Sequence, residues 1–165
     1  MQSIIGNYET FLKSELDALN AVGIDIHGRF IDHIAFRCIS SDDYIATQAA
    51  LIPWAEKRIE RSFNKRDVSI YKFYDPLQYE QYVIPYLELI SYREGDTFAR
   101  GLEHIEVVID APLSLLTQYP ALDWRVAEGR LIHIEVFLQF EKYAVKFHNL
   151  PLEEAVQKQI ETGLQ

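Results

Sequence analysis

GLEHIEVVID, residues 101–110, sets a histidine and a glutamate on alternate positions inside an aliphatic run. In an extended strand Ile105, Val107 and Ile109 fall on one face and His104, Glu106 and Val108 on the other. The letters HIEV return at residues 133–136 within RLIHIEVFLQ, and a shorter cognate, DHIAF, stands at residues 32–36. Three of the chain's 5 histidines therefore occupy the same kind of place in similar segments. This reading decides the fold, because a strand gathers such side chains on one face while a helix would scatter them.

Working outward, the period-two pattern alternates with helical stretches. In IDHIAFRC, Ile34, Phe36 and Cys38 oppose His33, Ala35 and Arg37. Before it, residues 3–22 carry Phe11, Leu12, Leu16, Leu19 and Val22 at helical intervals, with Gly23 as a stop. After it, capping residues and helix formers predict a helix over 42–52, ending before Pro53. KRIERSFN and DVSIYKFYDP predict a hairpin closed by Asp75 and Pro76, and QYVIPYLELISY a strand whose Pro85 belongs at an edge or bulge. Residues 31–91 thus read strand, helix, strand, strand, strand. The order returns over 102–148, and PLEEAVQKQIETG predicts a closing helix over 151–163 with Pro151 in its first turn. We expect an α+β fold of two βαβββ modules in one domain spanning residues 1–165, with an N-terminal helix within residues 1–23.

Composition narrows the function. A net charge of −9 and a pI near 5.0 argue against a nucleic-acid partner, which clustered Lys and Arg would have to hold. The one basic cluster, KRIERSFNKR at 57–66, reads as a solvated strand and turn. A single cysteine, Cys38, excludes an intrachain disulfide and fits a reducing, cytoplasmic setting; as part of the apolar set it reads as a small buried hydrophobe. No apolar run reaches about 18 residues, so neither a membrane span nor a signal peptide is expected.

The faces opposite the apolar sets collect His33, Glu88, His104, Glu106, His133, Glu135 and His148. Tyr82, Ile84, Tyr86 and Phe137 are expected beside them, as walls of a pocket. One reading is a solvated sheet face; the other is a divalent metal site, since imidazole and carboxylate suit zinc, manganese, iron, cobalt or nickel. Arg37, on the His33 face, could clamp a substrate carboxylate or pair with a neighbouring glutamate. Lys72 and Tyr74 could reach the rim, although alternating polar positions in a hairpin usually mean exposure.

The segments DHIAFRC, IYKFYDP, YLELI, GLEHIEVVI and AVKFH, in this order, resemble the bacterial YecM proteins, a branch of the vicinal oxygen chelate superfamily. The resemblance implies paired βαβββ modules in a curved, mostly antiparallel sheet around a cavity, with metal ligands from the first and last strands of each module. Carried over, it implies His33, Glu88 and His104 as ligands. The pattern departs late in the last strand, where a glutamate is usual; AVKFHN offers only His148, with Glu106 as the other candidate for ligand or base. The implied chemistry is that of an isomerase, lyase or dioxygenase whose substrate presents neighbouring oxygens to the ion, with Glu106 or Glu135 moving a proton and Arg37 and Tyr86 contacting substrate. The alternative is a metal-free module that sequesters a small molecule in the same cavity. The expected assembly is a monomer or weak homodimer, and metal content separates the two readings.

Overall fold

The computed structural model describes residues 1–63, 66–127 and 134–162. The chain runs α1 (Gln2–Ile5), α2 (Tyr8–Ala21), β1 (Phe30–Arg37), α3 (Ser41–Leu51), a 3-10 turn (Ile52–Trp54), β2 (Ala55–Phe63), β3 (Arg66–Tyr79), β4 (Tyr82–Ile90), β5 (Gly101–Val108), α4 (Ser114–Gln118), β6 (Arg125–Val126), β7 (Glu135–Gln139), β8 (Ala144–His148) and α5 (Leu152–Thr162). The strands form one curved, unclosed sheet in the order β2-β3-β4-β1-β5-β8-β7-β6. Each half reads βαβββ, and in each the first strand lies parallel to the last: β1 beside β4, β5 beside β8. The halves meet through the antiparallel β1–β5 pair. This is the α+β fold the alternation predicts. Among the described residues, no helix is long and apolar enough to cross a membrane.

Several boundaries differ from expectation for local reasons. The N-terminal helix is broken at Gly6, whose φ of 84° suits glycine, and restarts behind Asn7, whose side chain accepts from Thr10 N. Strand β3 does not stop at Asp75 and Pro76 but continues to Tyr79. Its register against β4 jumps between the pairs Lys72↔Tyr86 and Leu77↔Ile84, so Pro85 sits at an irregularity within an interior strand, where its missing N–H costs no ladder bond. Because of that irregularity Tyr82 and Ile84 do not stay on the face of Tyr86. They join the main core with Leu87 and Leu89. Strand β6 is only 2 residues long, and His133 lies outside the described residues.

The main core lies between one sheet face and the helices, with Ile34, Phe36, Tyr71, Leu89, Val107 and Phe147 meeting Phe11, Leu12 and Leu19 of α2. Cys38 is buried in it, and burial, then the charge of Asp43, pushes its thiol up to about 12. The other sheet face is covered in its first half by α5. Val156 and Leu152 pack there with Ile59, Val68, Ile70 and Tyr86.

Candidate metal centre

Pairing register brings the predicted side chains together on the face opposite the main core. Along the seam His33 pairs with Glu106 and Ala35 with His104. Parallel to β1, Glu88 stands beside Ala35; parallel to β5, Lys146 stands beside Glu106. His33, His104, Glu106, Glu135 and His148 are between 1% and 4% exposed. A solvated polar face is therefore excluded for these residues.

Four side chains offer donor atoms that all lie within 4.8 Å of one another: His33, Glu88, His104 and Glu106. His104 Nε2 is 3.4 Å from Glu106 Oε1 and 3.6 Å from Glu88 Oε2; His33 Nε2 is 3.6 Å from Glu106 Oε1. These separations are too long for good hydrogen bonds. Two donors each about 2.1 Å from one zinc-like ion at a tetrahedral angle stand about 3.4 Å apart. Nε2 of both His33 and His104 is buried without a hydrogen-bond partner, as a nitrogen meant for a ligand would be. The donor set fits a divalent ion.

The charges are mutually supporting. Burial alone would lower the His33 pKa; the charge of Glu106, 3.6 Å away, and the hydrogen bond to Asp32 outweigh it and hold it up to about 10. Burial opposes ionisation of Glu106, but Lys146 and the two imidazoles hold its carboxyl well below the usual carboxylate range. Lys146 Nζ is 3.0 Å from Glu106 Oε1 and 3.8 Å from Glu135 Oε1.

The remaining expected residues take distinct places. His148 is one same-face position further along β8 than Lys146, the counterpart of Glu88. That puts its Nε2 3.7 Å from the other oxygen of Glu106 and 3.8 Å from Asp32 Oδ2, outside the four-residue group. Arg37 donates through Nε and Nη2 to Glu103 and lies 4.8 Å from the Phe98 ring, while its Nη1 is buried without a partner. Tyr86 donates its hydroxyl to Glu153 Oε2 of α5 at 2.7 Å. Lys72 pairs with Glu56 on the flank, and Tyr74 is exposed.

Three participants are not singled out by alternation. Lys146 holds Glu106, and two carboxylates back the histidines: Asp32 Oδ2 lies 3.1 Å from His33 Nδ1 and Glu103 Oε1 3.3 Å from His104 Nδ1. A signal did exist, since an acidic residue immediately precedes the histidine in both DHIAF and EHIEV.

One solved structure shares this architecture over almost its whole length. The structure of a structural-genomics protein, EC4020, superposes with a TM-score of 0.78 at 24% identity, covering 96% of this chain and 95% of that one. A hypothetical protein from Bacillus halodurans C-125 gives a TM-score of 0.49 at 13% identity over 74% of this chain and 95% of its own. A glyoxalase/bleomycin resistance protein/dioxygenase superfamily member from Vibrio splendidus 12B01 gives 0.40 at 9% identity over 71% and 96%. No curated protein matches the chain. The family model described as YecM protein matches residues 1–159, almost the whole length, so the chain belongs to the YecM protein family.

Proposed function

We propose that this chain binds one divalent metal ion through His33, Glu88, His104 and Glu106 and acts as an isomerase, lyase or dioxygenase on a small, oxygen-rich substrate. The observation that carries the reading is the convergence of four donor atoms within 4.8 Å, spaced as ligands of a common ion rather than as hydrogen-bond partners. When bound, such an ion supplies Lewis-acid polarisation of neighbouring substrate oxygens. The chain's own groups move the protons. Glu135 and Lys146, 3.8 Å apart, set a carboxylate acceptor and an ammonium donor side by side next to Glu106, a pair suited to moving a proton. Arg37 offers its Nη1 to a substrate carboxylate. Tyr86, with its hydroxyl held by Glu153, offers its ring as a wall. His148 flanks Glu106 and limits its rotation. The buried lone thiol fits work in a reducing cytoplasm.

The test is metal analysis of protein purified without a histidine tag or chelator, followed by titration with zinc, manganese, iron, cobalt and nickel. About one equivalent per chain is expected, lost in His33→Ala and His104→Ala. Wild-type protein that takes up none of these ions would leave the metal-free sequestering module as the reading. Oxygen uptake by the iron-loaded protein would narrow the reaction class to dioxygenase.

A further inference from the structure

Both histidines of the candidate centre are preceded by a carboxylate that simple alternation would send to the opposite, helix-packed face. The seam between β1 and β5 explains why it does not. Its register runs Ile31↔Val107, His33↔Glu106, Ala35↔His104, Phe36↔Leu102. Between the first two pairs β1 spends one extra residue, Asp32; between the last two β5 spends one extra residue, Glu103. Each extra residue makes a bulge, which re-aims its side chain and bends the strand. The two bulges are related by the exchange of modules, because Ile31↔Val107 followed by His33↔Glu106 repeats as Leu102↔Phe36 followed by His104↔Ala35. Each sits immediately before a ligand-type histidine.

We infer that Asp32 and Glu103 are positioning residues, one per module, whose bulges aim a carboxylate at the Nδ1 of His33 and His104 and thereby fix each ring with Nε2 toward the ion. The inference rests on the metal-binding reading above. An ionised carboxylate only accepts hydrogen bonds, so in the neutral ring that a metal requires Nδ1 carries the proton and Nε2 offers its lone pair. The contacts of 3.1 Å and 3.3 Å place the acceptors for this role, and Nε2 of both rings is left buried without a hydrogen-bond partner. Both carboxylates are themselves anchored. Asp32 Oδ2 also accepts from Leu152 N at 2.9 Å, and Glu103 is gripped by the guanidinium of Arg37, with Nη2 donating to Oε1 at 2.6 Å. The anchors are unrelated, one a helix start and the other an arginine, so their shared feature is the imidazole.

The experiment is zinc titration of wild type, Asp32→Asn and Glu103→Gln, with nitrogen-15 spectra of the imidazoles in the zinc-loaded wild type. Folded variants should each bind zinc roughly 10–100-fold more weakly, the usual effect of losing a residue that orients a ligand. The wild-type spectrum should show both rings coordinated through Nε2 with Nδ1 protonated, a readout that does not depend on either variant folding. A ring coordinated through Nδ1, or unchanged affinity in both variants, overturns the inference while leaving the metal site standing. Wild-type protein that binds no zinc overturns both.

Discussion

Glu106 sits where its two possible duties can be told apart. Its Oε1 is within 3.4 Å and 3.6 Å of the two imidazole nitrogens, closer than His148 comes to either oxygen of Glu106. Glu106→Gln should therefore weaken zinc binding about as much as Glu88→Gln, each by roughly tenfold or more; a calorimetric titration in which only Glu88→Gln is affected would return the fourth place to His148. Far from the centre, Glu15 of α2 is buried with Oε2 unpartnered, and desolvation raises its pKa to about 8. The folded chain keeps this proton through a range in which the unfolded chain, titrating near 4.5, has lost it. Stability is thus highest below that value and falls as pH rises toward 8, by at most about 1.4 kcal/mol per pH unit for this one group. Glu15→Gln should flatten that slope in urea melts compared across pH 5 to about 8. An unchanged slope would mean that the carboxyl finds a partner when it ionises.

At the scale of elements, alternation made the candidate ligand faces of β1, β4 and β5 legible, because His33, Glu88, His104 and Glu106 each alternate with an aliphatic set. It could not reveal what interrupts the period. The bulges that turn Asp32 and Glu103 toward the site depend on pairing across the seam, and the break in β4 near Pro85 moves Tyr82 and Ile84 into the main core. Nor could it place α5, whose apolar residues mark it as amphipathic without naming the face it covers. That face is the one bearing the candidate centre, through Val156, Leu152 and the hydroxyl of Tyr86. Tyr86→Phe should cost about 1 kcal/mol in denaturant melts. Val156→Asp should undock the helix, making residues after Pro151 the first cut by protease; equal protease resistance in both proteins would show that α5 does not need this packing.

For the molecule as a whole, the candidate ligands come in equal parts from the two modules: His33 and Glu88 from one, His104 and Glu106 from the other, across one antiparallel seam. All four candidate donors thus converge within one chain. Sedimentation at falling concentration should find zinc binding per chain unchanged in the monomer, and heating should give a single cooperative transition shifted upward by bound metal. Loss of metal on dilution into monomers, or two separated transitions, would contradict this arrangement.

Because the sheet does not close, it ends, among the described residues, in two edge strands, β2 and β6, and each is guarded against joining another chain. At one end β6 is too short to template a neighbour. At the other, β2 is 9 residues long but carries Lys57, Arg58, Glu60 and Arg61, so the basic stretch read from the sequence as a solvated strand and turn forms a charged border. Colloidal stability is then a property of that border. Replacing Arg58 and Glu60 by Val, while leaving the candidate centre untouched, should lower solubility and give light scattering that rises with concentration. Equal scattering from both proteins would mean that the charges of β2 are not what keeps the edge unpaired.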